Sequence, residues 1–541
     1  MSVVQLPTWL RRSRGENLEA KPPRWGHRVD QDRDPHGVAA LWRVTRAEGE
    51  PARHVSDRTW RDLSMDAVFA LVDRTVTRLG QQVLYARMRA PSVDREAIAR
   101  FDAQVRAFSD DEGLRDAFPA AVKPLARGGS LDLAPLLYGE APVLPRTVRL
   151  ARLASFATLA AGVASFVWPV LLLAVLALIV GNIALRVHLH DAMGIHVGAM
   201  ASLVGLIEAV RNVAAIEAAG LAMDLAALRD VVAQTRAHGA ALRWLTLDML
   251  RVGELAAMVV TYLNVFLLFD VIAFDRAARM VASVGPALRS AFETLGGLDA
   301  ARSVASFRAG TACAVPVFAA SGAPLVVEGL RHPLVDDAVP NDARMDERGW
   351  LVLGSNMSGK STFLEALGLQ AILAQSIATV TCTSYVAPPL RVRTLMNLYD
   401  DVLAGRSLFF AEAEAARDML LEDAGGVDRL CIVDELFRGT NTVDRVAAAA
   451  AFLRALRRRG RNLVIAATHD SELISALSAD YLPHHFGETV SRGALTFDYR
   501  LRAGAAAPRN ALAVLTMCGF PPDVVADAAA YAAEGERPVE P

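Results

Sequence analysis

Three short stretches of this sequence combine residue types and spacings suited to chemistry on a phosphate. The first, "LGSNMSGKST" from Leu353 to Thr362, fits GxxxxGK[ST], with Gly354, Gly359, Lys360 and Ser361 in the required places. In such a turn the glycines allow backbone conformations and close approach that side chains would block. The amides of Ser355, Asn356, Met357 and Ser358 then point inward, and the N-terminus of the following helix adds partial positive charge. Lys360 is expected on the β- and γ-phosphates of ATP and Ser361 on Mg²⁺, with Thr362 closing the loop. The second stretch, "DRLCIVDEL" from Asp428 to Leu436, runs apolar into two adjacent carboxylates. This is the pattern of a metal-holding Asp434 followed by Glu435, which would orient or deprotonate an attacking water. The third, "RNLVIAATHDSEL", reaches His469, whose neutral imidazole is within range of a γ-phosphate in this arrangement. An Asp-Glu pair after a strand is a weak signal alone; paired with a phosphate loop at ordinary domain spacing it is strong.

These residues need a scaffold. "GWLVLGSNMSGKSTFLEALGLQAILAQ" reads as an apolar strand, a glycine-containing turn and a helix with no breaker for several turns. Beyond "AVPVFAASGAPLVVEGLRHPL" short β-rich runs alternate with helical stretches, the texture of a sheet flanked by helices. An α/β domain is therefore expected over residues 318–541. Residues 57–317 read as helical: Leu63, Val68, Leu71, Val72, Val76 and Leu79 recur at three and four, and "LVGLIEAVRNVAAIEAAGLAMDLAALRDVVAQ" continues the pattern. Residues 1–56 are rich in Arg, Asp, Pro and Gly. They read as a partly disordered tail with one short helix around "GVAALWRVTRA".

The helical region is interrupted by "LASFATLAAGVASFVWPVLLLAVLALIVGNIAL", residues 153–185, which contains no Asp, Glu, Lys, Arg or His. A bilayer span needs about 20 apolar residues, so this run is long enough for one tilted span kinked at Pro169 and short for two full ones. A tight hairpin turning near Trp168 and Pro169 is the other geometry, and a hairpin buried in the helical core is the soluble alternative. Arg146, Arg149, Arg152 and Arg186 flank the run, which favours membrane association. A second run, Leu255 to Phe269, is shorter than a span and reads as a core helix. The charges nearly balance, 57 basic against 59 acidic, so the chain as a whole is not committed to nucleic acid. Cys313, Cys382, Cys431 and Cys518 show no CxxC spacing, and no secretory signal is read at the N-terminus.

The detail around the phosphate loop resembles the ATPase domain of the MutS mismatch-repair family, a branch of the ABC-type ATPases. "RHPL" with "VPND" before the loop, "NMSGKST" in it, "DELFRGTNTVD" at the acidic strand and "AATHDSEL" after it look like family signatures in family order. "GRSLFFAE", Gly405 to Glu412, resembles the segment that replaces the transporter signature LSGGQ and reaches across a dimer to the partner's ATP. The resemblance thus implies Ser407 at the other subunit's γ-phosphate and Thr440, Asn441 and Thr442 along the dimer seam. Leu408 stands where the family usually has Thr. Upstream, "DRTWRDLSMDAVFALVDRTVTRLGQQVLYARMRAP" is similar to the start of the family's helical core, with a "T..G...L" turn at Thr77, Gly80 and Leu84. The tail from His484 to Tyr531 is similar to the family's C-terminal strand pair and helices.

The fold implied is a C-terminal α/β ABC-type P-loop ATPase domain, preceded by an all-α MutS core and lever domain carrying an apolar helical segment long enough to be transmembrane. The function implied is a MutS-like, ATP-dependent DNA-binding clamp that hydrolyses ATP with Mg²⁺ at a composite homodimer interface. Mismatch specificity is not expected. The family's mismatch readers carry an N-terminal Phe-x-Glu wedge, whereas the triples here, at Phe363, Phe410 and Phe486, lie inside the ATPase and read as packing. The apolar interruption resembles a membrane-associated subgroup. Its alternative function is a membrane-tethered mechanochemical ATPase acting on a protein or lipid partner without DNA. The expected location is at a membrane with the ATPase in the cytoplasm, or wholly cytoplasmic if the apolar run is core. The basic run Arg454 to Asn462 reads as a solvated face.

Overall fold

A computed structural model describes residues 24–29, 33–46, 54–127, 133–139, 148–194, 197–236, 266–355, 357–396, 408–422, 425–491, 494–505, 516 and 519–534. These residues fall into two compact units, one drawn from the ranges 1–49, 72–87 and 100–310, the other from 50–71, 88–99 and 311–541. Contacts therefore divide the chain differently from the linear partition at 56/57 and 317/318. The reason lies in Thr59 and Asp62. Asp62 Oδ2 accepts from Thr394 Oγ1 at 2.6 Å and from the Met396 amide at 3.2 Å, and Thr59 Oγ1 accepts from the Thr394 amide at 3.3 Å, so these buried groups belong to the sheet.

Among the described residues the sheet unit holds ten strands: β1 (Val317–Phe318), β2 (Leu325–Leu330), β3 (Asn341–Met345), β4 (Gly349–Leu353), β5 (Ser384–Ala387), β6 (Leu390–Leu395), β7 (Asp428–Asp434), β8 (Asn462–Ala467), β9 (Tyr481–Ser491) and β10 (Ala494–Ala503). Six form one sheet in the order β10-β9-β4-β8-β7-β6, parallel except for the β10–β9 pair. The other four form a second sheet in the order β1-β5-β2-β3. Every residue of β4 and β7 is buried, the continuous apolar run expected of parallel strands covered on both faces. Helix Lys360–Ile377 follows β4 and buries most of its length. Helices Leu408–Leu421 and Thr442–Arg458 flank β7 in sequence, and Phe452, Leu453 and Leu456 join the apolar cluster beneath Val433 and Val464. The chain ends of parallel strands converge at one edge, where ligands of open α/β sheets bind.

The helical unit is built on helix Phe269–Ala309, which is interrupted at Val284 (φ -120°, ψ 21°), two residues before Pro286. Proline removes an intrahelical donor and crowds the preceding turn, which accounts for the break. Phe108 and Phe118 pack edge to face at 5.5 Å within this unit. Residues 24–46 are part of the unit's packing: Val38, Leu41 and Trp42 are buried, and Trp25 lies against Arg115 and Arg302. The single short helix expected there is two, Pro35–Val38 and Ala40–Arg46, the first capped by Asp34.

The "T..G...L" turn has a physical explanation. Thr77 Oγ1 accepts the Gly80 amide at 2.9 Å, capping helix Arg78–Arg89, while Asp299 Oδ2 accepts the Thr77 amide at 2.8 Å and its hydroxyl at 2.7 Å. A Cβ on Gly80 would lie 2.2 Å from Asp299 Oδ2, so the glycine makes room for the carboxylate. Leu84 is fully buried on the same helix.

The apolar run folds as a hairpin: helix Val148–Ala164, a turn at residues 165–170, and helix Leu171–Gly194. Of the geometries left open by the sequence, the kinked single span is thus replaced by a reversal at Trp168 and Pro169. The buried-core alternative is also corrected, because Phe156, Leu159, Phe166, Trp168, Leu173 and Leu176 are all exposed. The run Leu255 to Phe269 lies almost wholly outside the described residues.

Candidate functional site

The phosphate loop begins where β4 ends. Gly354 (φ +143°) and Gly359 (φ +103°) occupy backbone conformations that side chains rarely adopt, and a Cβ on Gly354 would lie 2.6 Å from Ser358 Oγ. Between them the Ser358 amide and hydroxyl both donate to Ser355 O, at 3.1 and 2.8 Å, which closes the loop on itself. Gly359 then serves as N-cap of the helix that starts at Lys360. Ser355, Met357 and Thr362 are exposed; Asn356 lies outside the described residues.

Lys360 is buried, and its Nζ donates to Gly354 O at 2.5 Å and Ser355 O at 2.9 Å while standing 3.8 Å from Glu435 Oε1. Ser361 Oγ donates to Asp434 Oδ2 at 2.6 Å. The sheet order brings these groups together: β8 lies between β4 and β7, so the loop after β4 and the acidic end of β7 meet above the end of β8. The other Asp434 oxygen, Oδ1, is buried and has no hydrogen-bond partner among the described residues. Burial pushes the Asp434 carboxyl above its ordinary value; Ser361 opposes this and Glu435 adds to it.

Glu435 follows with φ +46°, and Phe437 with φ +61°, a strained pair of backbone conformations of the kind that clusters at functional sites. The Glu435 amide donates to Ala467 O at 3.0 Å, which fixes the turn to the end of β8. Its carboxylate is where the three motifs converge: Oε1 lies 3.8 Å from Lys360 Nζ and 3.8 Å from His469 Nδ1, and Oε2 lies 3.2 Å from Arg438 Nε. His469 is exposed, and its Nε2 stands 3.9 Å from Asp470 Oδ1. Asp470 is held in turn by Arg445, whose Nε and Nη2 donate to its two oxygens at 3.0 and 2.7 Å.

Three supporting groups escape a motif reading. Arg438, three residues after Glu435, was visible in "DELFRG" as a charge at helical spacing. Glu412 is buried beside the strained turn, and burial raises its carboxyl, opposed by the nearby amides of Arg438 and Phe437 and by the Arg438 charge. The Arg445–Asp470 pair joins residues 25 apart in sequence and has no local signal.

Ser407 and the segment before it lie outside the described residues. Asn441 caps helix Thr442–Arg458, its Oδ1 accepting the Asp444 amide at 3.0 Å, and both Asn441 and Thr442 are exposed. Of the Phe-x-Glu triples, Phe363 and Phe486 are buried and pack together with ring centroids 5.8 Å apart. Phe410 departs from the expected packing role: it is half exposed, because it lies on the outer side of helix Leu408–Leu421. In the basic run, Arg454 and Arg457 are tied to Ala476 O and Asn462 O, whereas Arg458 and Arg459 are exposed.

Comparison with known proteins agrees with this arrangement. The family profile described as MutS domain V matches residues 350–535, which include the loop, the acidic strand, His469 and the C-terminal strand pair. A DNA mismatch repair protein MutS of Rhodopseudomonas palustris (strain BisB5) is 29% identical over 542 residues, covering 86% of this chain and 58% of the relative. The protein of that name from Nitrobacter hamburgensis is 32% identical over 304 residues, 52% of this chain and 33% of the relative. That from Thermus aquaticus is 34% identical over 249 residues, 45% and 30% respectively. The chain therefore spans between about a third and three fifths of the length of these relatives. The profile thus lies on the phosphate-loop sheet, which matches MutS domain V, and a likeness to MutS proteins at 28–29% identity runs on through the helical unit.

Proposed function

We propose that this chain is a MutS-like ATPase of P-loop, ABC-type fold: it binds ATP at the Gly354–Thr362 loop and hydrolyses it with Glu435 as the water-orienting base. The observation that carries the reading is the convergence of Lys360, Glu435 and His469 beside the Ser361–Asp434 pair. Lys360 is placed to neutralise β- and γ-phosphate charge, drawn from its carbonyl partners by a stronger acceptor. Ser361 and Asp434 supply hard oxygen donors, and the buried, unbonded Asp434 Oδ1 suits Mg²⁺, which is usually held by one or two protein oxygens together with phosphate and water. Bound there, Mg²⁺ would neutralise charge on the phosphates as it develops. Glu435 can accept a proton from water while Arg438 fixes its other oxygen, and His469 reaches from β8 to the same space.

The half-buried Thr440 and the exposed Asn441 and Thr442, with Ser407, form in this reading the face presented to a second copy, so that ATP is enclosed at a composite homodimer seam. DNA is the partner the family likeness suggests, gripped as a clamp without mismatch reading. The exposed apolar hairpin favours a second arrangement, a membrane-tethered ATPase acting on a protein or lipid, with its catalytic part on the cytoplasmic side. Binding of duplex DNA measured against salt separates the two, because phosphate contacts make affinity fall steeply with salt. Absence of binding at low salt would leave the second alone.

The hydrolytic core is tested by two variants. Lys360→Ala is expected to lose ATP binding. Glu435→Ala is expected to keep binding and to lose about 10²–10⁴-fold in turnover, the usual contribution of a positioned base. Equilibrium binding of labelled ATP and steady-state phosphate release read the two separately; wild-type turnover in the Glu435 variant would remove the assignment of the base.

A further inference from the structure

The hairpin leaves apolar side chains uncovered along both arms and around the turn. Phe166, Val167 and Trp168 are 93%, 69% and 64% exposed, and Leu153, Phe156 and Leu173 are exposed to similar degrees. The stretch Leu171–His188 is long and apolar enough to cross a membrane and almost none of it is buried. Its polar atoms, by contrast, turn inward. Asn182 Nδ2 donates to Thr158 Oγ1 at 3.0 Å between the arms and to Phe266 O at 2.6 Å, and Ser155 and Ser165 donate back to Ala151 O and Gly162 O, each at 2.7 Å.

Apart from the Val170 amide, the backbone donors of the turn are met within the hairpin. The amides of Ser165, Phe166, Val167 and Trp168 donate to Ala161, Val163 and Ala164 carbonyls at 2.9 to 3.3 Å. Pro169 has no amide, and Leu171, Leu172 and Leu173 donate to Trp168, Pro169 and Val170 at 3.0 to 3.2 Å. Bonds of this 3₁₀ type also close helix ends in water, where solvent can serve in their place. Hydrocarbon requires them.

Length decides how deep the hairpin goes. At 1.5 Å per residue, the uncharged arms Leu153–Ser165 and Val170–Leu185 extend about 20 and 24 Å, against a hydrocarbon core of about 30 Å. The reversal also brings Arg152, which pairs with Asp275, and Arg186 to the open end. Building on the tethered reading above, we infer that the hairpin enters an anionic bilayer from one face and turns back within the hydrocarbon, short of the far side. Both of its ends then remain on one face, with the arginines among the headgroups. The reversal, arm length and inward polar groups together fit this better than a span.

The test uses the full chain with Cys313→Ser and Cys518→Ser. Cys382 and Cys431 can stay, because both are buried and burial pushes their thiols up to about 12 and about 11. A single cysteine is added at the turn, Trp168→Cys, or at the open end, His188→Cys. The protein is mixed with vesicles of phosphatidylcholine, alone or with phosphatidylglycerol, and a membrane-impermeant maleimide is supplied outside or trapped inside. The inference expects His188→Cys to label only from the outside and Trp168→Cys to label from neither side. It also expects vesicle binding to rise about tenfold with the anionic lipid. Labelling of the turn from inside would show a hairpin that crosses, and labelling from outside one that never enters; either overturns the inference. Equal binding to both lipid mixtures overturns its anionic part. Val163→Asp with Leu173→Asp should reduce vesicle binding about tenfold or more without lowering ATP turnover, since each charge meets hydrocarbon and neither touches the nucleotide site. Wild-type protein that binds no vesicles at all defeats the tether itself, whereas inside labelling on bound vesicles defeats only the depth.

Discussion

Two buried aspartates, one in each unit, differ in how fully their oxygens are bonded, and the difference bears on the metal-holding role proposed for Asp434. Burial raises the carboxyls of both Asp299 and Asp434. Asp299 has its oxygens committed: Oδ1 accepts the Val76 amide at 3.0 Å, and Oδ2 accepts the Thr77 amide and hydroxyl at 2.8 and 2.7 Å. Among the described residues Asp434 accepts only Ser361 Oγ, through Oδ2, and its buried Oδ1 has no hydrogen-bond partner. A carboxylate whose lone pairs are filled by backbone donors fixes a turn. One that keeps a buried oxygen unbonded pays a desolvation cost that a cation can relieve.

The widest separation between them should appear in Asp434→Asn. The amide keeps the volume and can still meet Ser361, but it lacks the charge a divalent ion needs. Turnover is expected to fall about 10²–10³-fold, in line with removal of a group that stabilises transition-state charge, with hydrogen-exchange protection of both units retained. Phosphate release across a magnesium titration checks it. Turnover within a few-fold of wild type would place the ion elsewhere.

For Asp299 the corresponding effect is on stability. Its carboxyl is pushed up to about 6, chiefly by burial, against an ordinary value of 3.8. The folded state therefore holds the proton more tightly than the unfolded chain, so this group's contribution is fully present below about pH 4 and is lost as pH rises through about 6. A shift of this size corresponds to about 3 kcal/mol across that window. Hydrogen exchange of helix Arg78–Arg89 in the full chain should show it as a slope that Asp299→Asn removes. An unchanged slope in that variant would mean that other groups carry the titration.

The contrast also explains what could be read in advance. The proposed nucleotide site is legible because the work expected of it falls to the backbone of one turn, and the types at Gly354, Gly359, Lys360 and Ser361 suit that turn's geometry. Glu435 and Asp434 were legible because a buried strand that ends in two carboxylates has few other uses. Arg445 and Asp470 were not, since their pairing depends on how β8 and helix Thr442–Arg458 come together. The pattern Thr77, Gly80 and Leu84 was visible, yet its reason sits 222 residues away, in the carboxylate of Asp299. The split of residues 57–71 from the helices that follow was hidden for a related cause: periodicity marks an apolar face and does not name the surface that covers it.

Two substitutions around Asp299 grade the comparison more finely. Gly80→Ala places a methyl 2.2 Å from Asp299 Oδ2, closer than any real contact, so helix or carboxylate must shift. A loss of about 1–3 kcal/mol is expected, the usual range for overpacking. Preserved stability would show that the carboxylate can retreat without losing its amides.

Thr77→Ala should cost less, about 1–2 kcal/mol, the range for a lost N-cap. The hydroxyl has two tasks, accepting the Gly80 amide at 2.9 Å and donating to Asp299 Oδ2 at 2.7 Å, and both vanish in alanine. The amides of Val76 and Thr77 still reach Asp299, so the turn keeps most of its anchorage. Thr77→Ser retains the hydroxyl and should stay within about 0.5 kcal/mol of wild type, as substitutions that keep every polar contact usually do. Exchange rates of helix Arg78–Arg89 in the three proteins measure the difference. Equal losses in the serine and alanine variants would assign the effect to the methyl group's packing and leave the hydroxyl without a structural role.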